Sequence, residues 1–384
     1  FGLRRFFGRG ARRSPTRAGI VPFSKKGGKH SRYGGAYSDM WLESRYSINR
    51  LSIRDIAITK QVSAQIDQYV GSLVNQNPLF ARSGKKCAYV TVASPSYDFG
   101  LKVLLSSLRR HSSIPVIVLT TRRWEFRNNA ENVFFLEVPT LFNDKYRSHR
   151  AEIGETLTKL WVFGLMSLDR IVYLDADCLV RQSVDDLFDR TGFCCAPDYI
   201  EDAGTARFNS GVMAFDPSKE IRDLIYEKTY STDSYDHGDQ GLLNNLLAPF
   251  VKYLPVEYNL TRHYSFYCGP DTRPSSARII HYIVKKPWEL WYRETPDVAL
   301  LELDALWTAQ LSHADLLDLV SMWRRRQFIA ERPRFESLRG HGSGWASIFE
   351  RSRRFRLFVT GAVAVLLSIL LCAAVALVLT LVRN

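Results

Sequence analysis

The sequence predicts an α/β domain built on a mostly parallel central sheet with helices on both faces, followed by one membrane-spanning helix. Three features of the 384-residue chain carry this expectation. From Lys85 onward, short apolar runs alternate with segments of helical spacing. One run, "RIVYLDADCLV" (Arg170–Val180), reaches two aspartates one residue apart, Asp175 and Asp177. Near the other end, Leu357 to Val382 is 26 residues without a charge.

The elements follow in order. "CAYVTVAS" (Cys87–Ser94) reads as a buried strand ending at a turn. "PVIVLTT" (Pro115–Thr121) and "VFFLEVP" (Val133–Pro139) read as the next two strands, and "RIVYLDAD" as a fourth. "FGLKVLLSSLRRH" (Phe99–His111) and "GETLTKLWVFGLMSL" (Gly154–Leu168) space their apolar residues as helices do. Strands that are apolar throughout are buried on both faces, as in a parallel sheet covered by helices. Ligands of such sheets bind beyond the carboxyl ends of the strands, so the aspartate pair lies at the binding edge. There is no internal repeat.

Charge is distributed unevenly. Lys plus Arg number 52 against 39 Asp plus Glu, and the excess sits at the two ends. Phe1 to Ser38 holds ten basic residues and no acid, while "WRRRQF" (Trp323–Phe328) and "RSRRFR" (Arg351–Arg356) precede the apolar run. Such blocks suit a solvated tail or anionic lipid. Nucleic acid is not an expected partner, because no recognised binding module accompanies them. The Arg-rich, acid-free start resembles a mitochondrial targeting segment or its remnant. At about 1.5 Å per residue, the apolar run is long enough to cross roughly 30 Å of hydrocarbon. The arginines before it place the globular part on the cytosolic or matrix side, with the mitochondrial inner membrane suspected. The six cysteines form no C-x-x-C pair and read as buried free thiols. One glycosylation sequon, Asn259-Leu260-Thr261, would matter only in a secretory lumen. The expected organisation is a basic arm and lead-in over 1–84, the α/β domain over 85–292, a helical, basic linker over 293–356 and the span over 357–382.

Two carboxylates leaving one strand end repel unless a cation lies between them. A divalent metal is one solution, and oxygen ligands favour Mg²⁺ or Mn²⁺. A turn-capping aspartate is the other, and the pair alone does not decide. Further motifs occur in a fixed order: "AYVTVASPSY" (Ala88–Tyr97), "RAEIGETLTKL" (Arg150–Leu160), "YLDADCLV", "FNSGVMAF" (Phe208–Phe215), "DHGDQGLLN" (Asp236–Asn244), "YNL" (Tyr258–Leu260) and "HYIVKKPW" (His281–Trp288). Their order and spacing resemble glycosyltransferase family 8, its glycogenin-like branch, over about Lys85 to Tyr292.

The resemblance implies a GT-A type, Rossmann-like fold, a UDP-sugar donor, Mn²⁺ (or Mg²⁺) and transfer with retention of anomeric configuration. Carried over, Asp175, Asp177 and His281 are metal ligands. Tyr97 stacks on the uracil, Thr91 is a further donor-binding residue, and Lys286 and Arg150 meet the diphosphate. Asn209, Ser210 and Gly211 lie near the donor sugar. Asp236, Asp239, Gln240 and Lys159 form the reacting face, with no covalent nucleophile named. Three departures stand out. Val284 occupies a position where the family commonly has Gly. Phe266, flanked by Tyr264 and Tyr267, stands where glycogenin glucosylates its own tyrosine. The anchor is C-terminal. Two functions follow as expectations. One is a membrane-anchored transferase moving a hexose or hexuronic acid onto an acceptor near the bilayer. The other is a former transferase kept as an accessory subunit of a larger, mitochondrial membrane protein complex.

Overall fold

The computed structural model describes residues 41–42, 49–124, 126, 132–146, 156–198, 207–262, 275–284, 286–289 and 298–339. The basic arm, Arg150, the arginines of 351–356 and the apolar run of 357–382 lie outside them. Among the described residues no helix is long and apolar enough to cross a membrane.

In chain order the strands are β1 (Trp41–Leu42), β2 (Arg50–Ser52), β3 (Ala81–Arg82), β4 (Lys85–Ala93), β5 (Val116–Thr120), β6 (Val133–Glu137) and β7 (Thr140–Phe142). They continue as β8 (Arg170–Leu174), β9 (Cys178–Val180), β10 (Phe193–Pro197), β11 (Phe208–Phe215), β12 (Val251–Tyr253), β13 (Leu260–Thr261) and β14 (Ile279–His281). The helices are α1 (Ile56–Gln76), α2 (Asp98–Arg109), α3 (Lys219–Lys228), α4 (Asp239–Leu247), α5 (Val298–Thr308) and α6 (His313–Arg339).

The main sheet runs β1-β6-β5-β4-β8-β11-β10-β12, with β3 hydrogen-bonded to β4. Pairing is parallel from β1 across to β8, and β11 runs antiparallel to both β8 and β10. That reversal sets the beginning of β11 beside the end of β8. Successive residues of each strand face opposite sides, and both sides are covered. In β8, Ile171 and Tyr173 join one apolar cluster while Val172 and Leu174 join another. The four sheet strands expected from the sequence are all present, and the sheet is mostly parallel as the apolar runs require.

Two segments differ from the sequence reading in instructive ways. Helix α1 lies in the stretch expected as lead-in, yet it packs Val62, Ile66, Val70 and Val74 into the first cluster. Asp55 caps it by accepting the backbone N–H of Ile58 at 3.2 Å. The segment expected as a helix over Gly154–Leu168 is a 3₁₀ helix over Thr156–Gly164 in its described part. Every residue from Leu157 to Gly164 is buried. A Cβ on Gly164 would lie 2.0 Å from Ser63 Oγ, and Trp161 Nε1 donates to Pro139 O at 2.8 Å. Contacts on every side, rather than helix propensity, set its pitch.

The C-terminal helices dock on the domain through a third cluster, in which Leu303, Trp307 and Leu319 meet Phe99, Val103, Tyr282 and Trp288. Two polar ties accompany it: Arg262 Nη2 to Asp304 Oδ2 at 2.8 Å, and Tyr282 OH donating to Leu303 O at 2.6 Å. Burial pushes the Asp304 carboxyl up to about 6, against the pull of Arg262. A carboxyl raised in the fold costs stability once it ionises, so the cost is absent below the unfolded value and complete above about 6. Thermal midpoints should therefore rise as pH falls from 7 to 5, by the equivalent of about 1–1.5 kcal/mol, with the remainder of the effect below pH 5. Asp304→Asn should flatten that slope, and an unchanged slope would show that Asp304 is not its source.

Candidate active site

The aspartates sit where β8 ends. Asp175 N donates to Gly211 O at 2.8 Å, and Cys178 N donates to Asp175 O at 3.0 Å, closing a tight turn that starts β9. Strand β9 pairs antiparallel with β14 in the register His281 to Cys178, which sets the histidine beside Asp177. His281 Nε2 lies 3.1 Å from Asp177 Oδ1 and 3.6 Å from Asp175 Oδ2. The ring fits because residue 211 is glycine: a Cβ there would lie 2.1 Å from His281 Cε1.

Two lysines neutralise the acids. Lys159 Nζ is 3.0 Å from Asp175 Oδ1 and 2.7 Å from Asp239 Oδ2, and it donates to Ser210 Oγ at 3.2 Å. Lys286 Nζ pairs with Asp177 Oδ2 and donates to Tyr282 O at 3.0 Å. Burial disfavours both ammonium groups, but the neighbouring carboxylates outweigh it and raise both above the ordinary lysine value. Burial likewise opposes ionisation of Asp177, yet Lys286 and His281 hold its carboxyl well below the usual range. Tyr173 OH donates to Asp175 Oδ1 at 2.5 Å.

Beyond the acids opens a cleft of about 710 Å³, ample for a nucleotide-sized ligand. One wall is Tyr97, which meets Trp288 edge-to-face at 5.5 Å and has Lys286 5.7 Å from its ring. Burial pushes the Tyr97 phenol up to about 12. The opposite wall is a polar lattice. Asp239 Oδ2 accepts Ser210 Oγ at 2.8 Å, and Gln240 Nε2 donates to Asp198 Oδ2 at 2.8 Å. Asn209 Nδ2 donates to Asp198 Oδ1 at 3.2 Å. Asp236 Oδ1 accepts Ser234 Oγ at 2.6 Å and the N–H groups of Gly238 and Gly241 at 3.0 Å each, so it shapes the loop entering α4.

Of the residues singled out from the sequence, Tyr97, Lys159, Asp175, Asp177, Asn209, Ser210, Asp236, Asp239, Gln240, His281 and Lys286 all line this cleft. Gly211 does not line it; it stands behind the histidine. Thr91 does not line it either. It is 1% exposed inside β4, its hydroxyl without a hydrogen-bond partner among the described residues, and the wall starts at the following residue, Val92. Arg150 lies outside the described residues. The sequon is buried: Asn259 and Thr261 are each 1% exposed, and the asparagine amide is hydrogen-bonded at both ends within the site. The four described cysteines are buried and free, as expected.

Sequence reasoning missed Asp198, Tyr173 and Arg326, the last carried to the cleft rim by α6, and also Asn259, which is hydrogen-bonded to His281. It did single out Val284, which lines the rim at φ 63° and is 69% exposed. A β-branched residue held left-handed is strained by roughly 1–2 kcal/mol. Glycine adopts that backbone freely, at an entropic cost of about 0.5–1 kcal/mol. Val284→Gly should therefore raise the thermal midpoint slightly, by up to about 1 kcal/mol in stability. A lower midpoint would show that the side chain has a packing role.

The donor set suits a divalent cation. Two ligands at right angles on an ion with bonds of about 2.1 Å lie about 3.0 Å apart, and the histidine-to-carboxylate separations of 3.1 and 3.6 Å are close to that. Two carboxylates and one imidazole can together ligate a divalent cation. Cys178 also lies within reach. Burial, with Asp177 and Asp175 nearby, pushes its thiol well above the ordinary value.

Fold and site together set an acid-lined cleft at the carboxyl edge of a mostly parallel sheet, as the family resemblance implies. The family described as Glycosyl transferase family 8 matches residues 199–292. Human Glycogenin-2 is 36% identical over 223 residues, covering 53% of this chain and 44% of that protein. Mouse Glycogenin-1 is 32% identical over 250 residues, covering 60% of this chain and 73% of that one. Inositol phosphorylceramide glucuronosyltransferase 1 of Arabidopsis thaliana is 26% identical over 248 residues, covering 57% and 45%. The chain belongs to glycosyltransferase family 8. It spans about half to two thirds of the length of the first relatives it matches, 44%, 66% and 63%.

Proposed function

We propose that the chain moves a hexose or hexuronic acid from a UDP-sugar onto an acceptor hydroxyl, with a divalent cation, Mn²⁺ or Mg²⁺, and with retention. The carrying observation is the meeting of Asp175, Asp177 and His281 at one end of a cleft large enough for a nucleotide sugar. The similarity to glycogenins and to a glucuronosyltransferase supports the sugar classes. When bound between these three side chains, the cation supplies Lewis-acid neutralisation of charge on the departing diphosphate.

The chain's own residues do the rest. Tyr97 and Trp288 give the uracil an aromatic wall, and Lys286 offers a point charge to the diphosphate. Asp198, Asn209, Asp236 and Gln240 present acceptors and donors to sugar hydroxyls. Asp239 is held by Lys159 and Ser210, which leaves it engaged in positioning rather than free to attack the sugar. Retention then follows from same-face substitution. The bond from C1 to the phosphate oxygen breaks, the acceptor oxygen bonds to C1 from the same side, and the acceptor proton passes to the leaving phosphate.

We further propose that 357–382 anchors the chain in a bilayer with the catalytic part on the cytosolic or matrix side, so that a lipid or membrane-bound acceptor is within reach. The length and apolarity of the run support this. The test is UDP-sugar hydrolysis and transfer with Mn²⁺, for the parent and for Asp177→Asn. Turnover in the parent and a loss of at least 100-fold in the variant is the expected result. No donor binding and no turnover in either, with the chain co-purifying in a stoichiometric membrane assembly, would favour the accessory role instead.

A further inference from the structure

We infer that Asn259 is a positioning residue that commits His281 Nδ1 as a donor and so leaves Nε2, facing the aspartates, as the nitrogen able to ligate. The inference rests on the metal-site reading for its purpose but not for its geometry. Asn259 sits at the end of the 3₁₀ turn before β13, the strand paired with β14 in the register Thr261 to His281. Its amide stands between two others. Asn259 Nδ2 is 2.8 Å from Asn209 Oδ1, and Asn259 Oδ1 is 3.1 Å from His281 Nδ1.

The direction of every bond in this chain is set from its far end. Gly211 N–H, a backbone donor with no alternative role, points at Asn209 at 2.9 Å, so the atom it meets is the carbonyl oxygen. The other end of the same amide lies 3.2 Å from Asp198, a carboxylate that accepts only, which again makes that atom the nitrogen. Since Asn209 presents its oxygen to Asn259, Asn259 must answer with its nitrogen. Its own oxygen is then turned to His281, and Nδ1 must carry the proton. With Nδ1 committed as the donor to Asn259, Nε2 is the nitrogen turned to Asp177 Oδ1 at 3.1 Å and Asp175 Oδ2 at 3.6 Å. It donates to Asp177 when the ring carries both protons and offers a lone pair when it carries one. A divalent cation among these three atoms takes the place of that second proton. The polar wire from Asp198 through Asn209 and Asn259 thus prepares the histidine as a ligand before any ion arrives, and links that preparation to the opposite wall of the cleft.

All three members are nearly inaccessible: Asn209 is 3% exposed, Asn259 1% and His281 3%. Water therefore cannot easily replace a missing partner, and loss of Asn259 frees the ring to rotate or change tautomer. Outer partners of ligating histidines typically carry 10–100-fold in metal affinity.

The test uses the full chain with ¹⁵N-labelled histidine, metal-free, and reads the tautomer from long-range nitrogen-to-carbon-proton couplings. His281→Gln assigns the signal. In the parent, Nδ1 should carry the proton whenever the ring carries only one. Asn259→Leu should lose that preference, and Asn259→Asp, which keeps an acceptor toward Nδ1 but not the donor toward Asn209, should restore it. In Mn²⁺ titrations followed by electron paramagnetic resonance, Asn259→Leu should bind 10–100-fold more weakly than the parent, with Asn259→Asp recovering part of the loss. A singly protonated ring in the parent with its proton on Nε2, or an unchanged tautomer in Asn259→Leu, overturns the inference even if Mn²⁺ binds. The inferred tautomer shifts without any Mn²⁺ binding in the parent would uphold the positioning and instead remove the metal from the proposed function.

Discussion

Gly211→Ala is expected to abolish transfer while leaving most of the sheet intact. The added Cβ would lie 2.1 Å from His281 Cε1, 2.5 Å from Nδ1 and 3.0 Å from Asn209 Oδ1. Approaches under about 3 Å are not tolerated, so either the ring or the strand must move. The ring is the easier of the two, because β11 is hydrogen-bonded on both sides, to β8 and to β10. It is nevertheless pinned, with Asn259 at one nitrogen and Asp177 at the other. A displacement of even 1 Å takes Nε2 away from the two carboxylates together. We expect Mn²⁺ affinity to fall at least 100-fold by titration, and turnover to fall with it. Transfer within a factor of three of the parent would show that His281 is not needed as a ligand. His281→Ala serves as the reference, and the two losses should be similar.

This glycine shows where sequence reasoning stops. Its closeness to the site was legible in "FNSGVMAF", and glycine there suggested close backbone approach to the donor sugar. The approach is real, but the group approaching is an imidazole from a strand some 70 residues later. Only the pairing of β9 with β14 brings them together. The strand ends were legible because apolar runs stop abruptly at polar residues, as at Leu174–Asp175. The alternation of strands and helices likewise needs only local periodicity. What stayed hidden depends on register or on distant segments. Asn259 reads as part of a surface sequon, and its burial follows only from the pairing of β13 with β14. Arg326 comes from α6, beyond the motifs. Thr91 sits next to wall residues along β4, but the wall begins only at Val92, and a strand's periodicity does not mark that point. The 3₁₀ pitch of Thr156–Gly164 is imposed by neighbours from α1, α3 and the loop at Pro139. For the lysines, the charge was legible and the partners were not.

Those partners make Lys159→Met the substitution with the largest expected cost in stability. Lys159 is 6% exposed and lies between Asp175 and Asp239, on two elements that the sheet alone does not join. Methionine fills a similar volume but leaves two carboxylates without their ammonium. Breaking a buried pair in this way typically costs 3–5 kcal/mol, so urea unfolding should show a loss of that order. The pH dependence separates this cause from lost packing. Burial lowers and the two carboxylates raise the Lys159 ammonium, with a net shift upward. A raised lysine contributes fully below its unfolded value of 10.5, so the parent's share is constant between pH 5 and 9. Acid neutralises the orphaned carboxylates in the variant, and the deficit should narrow as pH falls toward 4. A packing defect would be indifferent to pH. Adding Asp239→Asn to Lys159→Met removes one of the orphaned charges. The double variant should therefore be less damaged than the sum of the singles by about 1–3 kcal/mol, the coupling expected of groups in contact. Strict additivity would mean that Lys159 does not act as the clamp between Asp175 and Asp239.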